Sequence, residues 1–484
     1  MKKILISLLS LVLMVSCVDD LDDYNIDQKQ ATTAPPATLF TGALKNMADV
    51  LTTPNVNTNN IRFYVQHWTS TQYLDEPRYN MTSRLIPQNY WQALYRDVLA
   101  DLKESKRLVQ ETEVIPTYPQ EVKDNQLAQI EIAEVYAWSV LVNSFGDVPY
   151  SQALDPSNSL PAYDDAQTIY NDLMVRLNMA LGMIDTEAAG FGNGDVLYAG
   201  AGQMSKWLKF GNSLKLKLGM VLADVDPAQA KTLVESAALN VFTSNADNAR
   251  FPYLSTTPNN NPISSNVKGP LTTREDFVAA NTLVNAMNER NDPRRQFYFS
   301  QVNGQFIGGE YGFPNTYTSY STVSAKVAAL DFEALLLDYS EVEFLLAEAV
   351  ERGFTVPGGS AADHYNRAIT ASIEYWGGTA AEATTYLAQP SVTYASAPGD
   401  WKMKIGTQKW IALYNRGYDA WVEWRRLDAP TLLPPAVEGA GALNIPTRLI
   451  YPINEGTLNG ANRDAAAAAI GGDDRTTRLF WDVQ

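Results

Sequence analysis

The chain is poor in the side chains that most often do chemistry and rich in those that bind. It has two histidines, His67 and His364, one cysteine, Cys17, and 54 acidic residues, against 10 Trp, 25 Tyr and 16 Phe. One thiol and two histidines far apart in sequence cannot supply a Cys/His zinc site or a cysteine–histidine nucleophile. His364, beside Tyr365 in a helical stretch, reads as structural, whereas His67 next to Trp68 in a loop is the more open of the two. No glycine patch ends in the Lys-Ser/Thr of a phosphate cradle, and Gly-x-Ser-x-Gly is absent. Carboxylates are plentiful, and a glycoside hydrolase needs only two of them about 5 or 9 Å apart, so residue supply alone leaves such a pair open. The adjacent pairs Asp164-Asp165 and Asp473-Asp474 read instead as a helix cap and a turn. The balance points to a binding protein that is not an enzyme and needs neither cofactor nor metal.

The aromatic residues suggest what is bound. A sugar ring has an apolar face of C–H groups, on which a Trp or Tyr ring can stack, and a belt of hydroxyls that Asn, Asp, Arg or Gln can bond. Three long stretches rich in Gly, Pro, Asn, Ser and Thr carry embedded aromatics, near residues 51–87, 243–274 and 303–331. Loops of that length inside a folded chain are uncommon and often functional. By residue type alone, each of their rings is either a platform or a core residue.

The elements that must position these loops are helical. In NYWQALYRDVLADLKESKRLVQ, apolar residues recur at steps of three and four from Trp91 to Val109, and QLAQIEIAEVYAWSVLVNSF repeats the pattern up to Gly146. Further helices are expected after Asp164-Asp165, from Ala201, at Pro227, after Asp338, from Ala361 to the Gly377-Gly378 pair, and from Trp401 to Asp428. Helix, short turn, helix is the unit of tetratricopeptide repeats, and Tyr365-Asn366-Arg367-Ala368-Ile369 has the small-residue packing spot of a second helix. The expected fold class is all-α, with helix pairs stacked as a superhelix and long irregular loops carrying the ligand site.

The amino-terminal end concerns location. Lys2 and Lys3 precede an apolar and small-residue run from Ile4 to Val15, the layout of a signal peptide and too short to span a bilayer. Met14-Val15-Ser16-Cys17 resembles a bacterial lipobox, which implies cleavage before Cys17 and its lipidation; several acyl chains on one residue would give a stable anchor. Residues 18–36 then read as an extended tether. Its run Asp19-Asp20-Leu21-Asp22-Asp23 is either a solvated spacer or, by resemblance, an acidic signal for export to the outer leaflet. The expected division is a signal peptide over 1–16, a lipidated tether over 17–36 and one domain over 37–484. The formal charge of −17 makes nucleic acid an improbable partner.

Several stretches resemble the SusD/RagB family of outer-membrane nutrient-binding lipoproteins: NSFGDVPY (Asn143 to Tyr150), WLKFGNSLKLKLG (Trp207 to Gly219), SEVEFLLAEA (Ser340 to Ala349), WRRLD (Trp424 to Asp428), IPTRLIYPINE (Ile445 to Glu455) and Asn462-Arg463. The resemblance implies four tetratricopeptide-like helix pairs, a place on the cell surface as the lid of a TonB-dependent β-barrel transporter, and capture of an oligosaccharide or, in some members, a peptide. It further implies a site in loops corresponding to Arg62 to Asn80 and Gly309 to Tyr320. The ligand-binding candidates are therefore Trp68, Tyr73, Tyr311, Tyr317 and Tyr320 as platforms, with Arg78 and Asn80 as hydroxyl partners.

Overall fold

The computed structural model describes residues 34–200, 202–437 and 443–483. The lipobox, the acidic run and nearly all of the tether lie outside the described residues. The first helix, α1 (Pro36–Thr52), starts where the tether was expected to end. It packs against a long helical run made of Ile86–Gln92, a π-helical segment Ala93–Leu99, and α2 (Ala100–Glu111).

Four helix pairs follow, each packed on its own partner: α3 (Gln120–Phe145) with α4 (Ala166–Met183), α5 (Gln203–Val221) with α6 (Pro227–Ala237), α7 (Tyr339–Glu351) with α8 (Ala361–Trp376), and α9 (Trp401–Ala412) with α10 (Gly417–Leu427). The all-α, tetratricopeptide-like expectation is met. Local chemistry starts these helices where the sequence places them. Asp165 accepts from Thr168 N at 2.8 Å, Asp226 from Gln229 N at 3.0 Å ahead of Pro227, and Asp338 from Glu341 N at 2.8 Å. Each such cap contributes about 1 kcal/mol. Helix α3 is buried on nearly every side over its second half, as a central helix must be, and stops at Gly146, whose φ of 87° suits glycine.

A chain of buried ion pairs ties α5, α7, α9 and α10 together. Lys217 of α5 pairs with Glu341 of α7 at 2.9 Å and also with Asp419 of α10. Arg416 holds the same two carboxylates at 2.6 and 2.8 Å, and Asp338 at 3.2 Å. Lys409 of α9 pairs with Glu423 at 2.7 Å, and Arg426 bridges Glu423 at 2.9 Å to Glu348 at 2.5 Å. Buried charges are tolerated only when paired and hydrogen-bonded. The pairing therefore fixes the register of four helices as well as neutralising them.

A second clasp joins the chain's middle to its end. The last turn of α3 and the residues after it receive Leu449 N on Ser144 O at 2.7 Å, Arg448 on Phe145 O at 2.8 Å, and the Tyr451 hydroxyl on Asp147 O at 2.9 Å. Arg425 donates to Asn143 O at 2.9 Å while lying 3.7 Å from the Trp421 ring and 4.8 Å from that of Trp481.

Candidate ligand-binding face

The two loops singled out from the sequence meet on a short sheet. Strand β1 (Trp68–Ser70) pairs antiparallel with Phe277–Ala279, setting Trp68 opposite Ala279. The 309–320 loop then hooks onto this pair. Gly309 N donates to Ala279 O at 2.8 Å, Asn315 N to Thr71 O at 2.8 Å, and Asn315 Nδ2 to Ser70 O at 3.0 Å. A side chain at Gly309 would sit 2.7 Å from Val278 Cγ2 and 2.8 Å from Asn315 Oδ1, so the close approach requires glycine there. On the other flank, Thr71 Oγ1 donates to Glu275 O at 2.7 Å, which brings residues 274–276 to the same edge.

Burial separates the candidate residues into three kinds. Tyr73 is 61% exposed, with the Arg84 guanidinium 6.0 Å from its ring. Tyr317 and Tyr320 are half-buried on the 309–320 loop, and burial, then the neighbouring Glu275 charge, pushes the Tyr317 hydroxyl above its ordinary pKa. Arg78 is half-buried; its Nε donates to Gly312 O at 3.0 Å, and its two terminal nitrogens have no protein partner among the described residues. These four residues can face a ligand.

The other three cannot serve as expected. Trp68 is 1% exposed: its Nε1 donates to the Tyr414 hydroxyl at 3.2 Å, and the Arg62 guanidinium covers its ring at 4.5 Å. Tyr311 is buried and its hydroxyl donates to Phe63 O at 2.5 Å. Both rings are pillars of the loops and not platforms, because a large apolar ring beside a strand gains more from burial than from exposure. Asn80 spends both ends of its amide on the chain. Its Oδ1 accepts from Thr82 N at 3.1 Å and Ser83 N at 3.2 Å, and its Nδ2 donates to Asp75 at 3.2 Å. Asn80 shapes the loop that carries Tyr73.

His67 is also fully buried, with Nε2 at 3.2 Å from Trp410 O, and burial lowers its pKa to about 3. It stays neutral at physiological pH and is closed to a ligand. His364 bonds Glu343 at 2.7 Å inside the α7–α8 pair, a structural place as its helical setting suggested. Sequence reasoning missed Arg84 and the 274–276 edge: Arg84 lies in the 51–87 stretch but is not aromatic, and the edge sits at and just beyond the end of the 243–274 stretch. What the face offers is one open ring, two partly open rings and a guanidinium, a set suited to stacking and hydrogen bonding.

The comparisons accord with this architecture. Residues 28–452 match the family model SusD-like_2, described as "Starch-binding associating with outer membrane". Among solved structures, a chitin-binding protein is 26% identical, with a TM-score of 0.80 over 93% of this chain and 100% of its own. A SusD homolog from Bacteroides uniformis is 26% identical, with a TM-score of 0.75 over 92% of this chain and 99% of its own. A chitin-binding SusD homolog from Flavobacterium johnsoniae shares the fold at 22% identity and a TM-score of 0.74, over 92% and 99% of the two chains. No curated protein matches the chain. Among the described residues no helix is long and apolar enough to cross a membrane. With the match running through nearly all of the helical body and its loops, the chain belongs to the SusD-like family.

Proposed function

We propose that this chain is a lipid-anchored protein of the cell surface that binds an oligosaccharide and delivers it to a TonB-dependent β-barrel transporter, over which it acts as a lid. Cys17 carries the anchor. Tyr73 supplies the stacking platform, Tyr317 and Tyr320 flank it, and Arg78 bonds hydroxyls. The observation that carries this reading is the convergence of two aromatic loops from distant parts of the chain on one exposed edge, with Tyr73 open to solvent. Likeness to a chitin-binding protein over the whole domain supports a saccharide as the ligand class. Binding without turnover is the expected activity, because stacking and hydroxyl recognition need no acid–base pair.

Calorimetry against chito-oligosaccharides, malto-oligosaccharides and a peptide pool tests this. Saccharide binding that weakens in Tyr73→Ala, with no new reducing ends released, supports it. Binding of peptides and of no saccharide would replace the glycan reading with a peptide one, and reducing-end release abolished by a single Asp or Glu substitution would establish a hydrolase.

A further inference from the structure

Three arginines stand on the ligand-binding face, and each is tied to the chain in the same way. Arg78 donates through Nε to Gly312 O at 3.0 Å, and Gly312 N in turn donates to Thr69 Oγ1 at 3.2 Å, so this guanidinium is fixed to the sheet edge itself. Arg84 pairs through Nε with the buried Glu76 at 3.0 Å and lies 6.0 Å from the Tyr73 ring. Arg274 donates through Nε to the Asp276 carboxylate at 2.8 Å, on the segment whose Asp276 O accepts from Thr71 N at 2.8 Å. In all three the inner nitrogen is engaged, and neither terminal nitrogen has a hydrogen-bond partner among the described residues. The side chains of Arg84 and Arg274 keep 27% and 45% of their surface in water. Arginines of the helical body behave differently: Arg294 spends its terminal nitrogens on Asp292, Ser372 and Gln408, and Arg426 spends its own on Met220 O, Glu348 and Glu423.

A guanidinium whose Nε is held and whose outer N–H groups are free is a fork that matches the two oxygens of a carboxylate. Charge decides which fork has most to gain. Arg84 and Arg274 already face a carboxylate each, whereas Arg78 is held by a neutral carbonyl and takes part in no ion pair among the described residues. Arg78 is also half-buried, so its charge has lost part of its water, and a sugar hydroxyl would leave that charge unanswered. A dense polyanion fits less well, because Glu275 and Glu310 stand exposed at the same edge. Tyr73 narrows the class further. Arg78 N donates to Leu74 O at 3.1 Å, one residue on from the open Tyr73 ring. The ligand must then bring a flat C–H face together with its carboxylate, as a uronic acid does and an acidic amino acid does not.

We infer that the saccharide taken by this face is acidic: a carboxylate on one sugar unit, as in a uronic acid, is received by the free fork of Arg78, while a sugar ring stacks on Tyr73 and Arg84 and Arg274 supply further N–H donors. The inference rests on the oligosaccharide reading given above and deepens it by naming the class of sugar.

Calorimetry on the full chain tests it with oligogalacturonate, oligomannuronate and hyaluronan oligosaccharides, each beside its methyl ester, with chito- and malto-oligosaccharides as neutral probes and a carrageenan oligosaccharide as a sulfated one. Esterification removes the charge and keeps the ring. The expected result is binding of at least one uronate, weakened at least about tenfold by esterification. In Arg78→Gln that acid-to-ester ratio should fall to within about threefold, whereas an Arg78 that only anchors the loops would weaken acid and ester alike. Arg84→Gln combined with Arg274→Gln, whose outer ends are in water, should lower the same ratio and gives a second reading should Arg78→Gln fail to fold. An ester bound as tightly as its acid, a ratio unchanged in the variants, or binding of neutral or sulfated saccharides and of no uronate would overturn the inference and leave the oligosaccharide reading standing. Binding of no saccharide at all would strike that reading and this inference together.

Discussion

Glu423 is the carboxylate through which the buried ion pairs can be measured. Burial alone would push its pKa up, but Arg426 and Lys409 outweigh that and hold it at about 2, against an ordinary value of 4.5. At about 1.4 kcal/mol per pH unit, the gap corresponds to about 3 kcal/mol of native stability at neutral pH. The folded pKa is depressed, so this contribution is fully present above about 4.5 and is lost as pH falls from there towards 2. Glu423→Gln keeps the shape and removes the charge. It leaves Lys409, fully buried and ion-paired with Glu423 at 2.7 Å, as an ammonium whose pKa burial already lowers. The expected loss is about 3 kcal/mol at pH 7, within the range for breaking one partner of a buried pair. Guanidinium unfolding followed by tryptophan fluorescence, at pH values from 7 down to 3.5, reads it. The gap between wild type and variant should be constant above pH 5 and narrow below 4.5, as wild-type Glu423 takes up its proton. A loss below about 1 kcal/mol at pH 7, or a gap that does not change with pH, would refute the reasoning. Lys409→Met combined with Glu423→Met should recover part of the loss, because neither charge is then stranded.

Tyr73→Ala should weaken saccharide binding about tenfold, or about 1.4 kcal/mol, by calorimetry, with an unchanged melting temperature because the ring is exposed. Trp68→Ala should do the reverse and cost about 3–5 kcal/mol of stability, seen in denaturant unfolding, because its ring is buried beneath Arg62. Saccharide affinity should be flat between pH 6 and 8, since His67, held at about 3, does not titrate there. Cys17→Ala should release the protein from the membrane fraction and abolish its labelling by radioactive palmitate.

The helical scaffold was legible because its signals are local. Caps such as Asp165 and Asp338, and stops such as Gly146, act within one turn of the residues that announce them. The motifs that carry the resemblance also proved interpretable: Lys217, Glu341, Glu348, Arg425 and Arg426, all within them, are among the charged residues of the ion-pair core and the clasp. Helix α1 went unassigned, although it carries a buried apolar stripe from Phe40 to Leu51. The site was less legible. Composition marks Trp68, Tyr73 and Tyr311 alike, and only the pairing of Trp68 with Ala279 and the bond from Tyr311 to Phe63 turn two of the three rings inward. Such contacts join residues some 200 positions apart, where no local pattern reaches.

That same pairing of Trp68 with Ala279 bears on how the protein comes into being. Strand pairing across so long a stretch of chain carries a loop-closure cost and forms late compared with the local contacts of helix pairs. The helices can therefore assemble while the binding edge is still missing, and the edge appears only when both halves of the domain have docked. Under the proposed function, ligand capture would then await a fully folded domain, and a bound saccharide would mark a finished molecule.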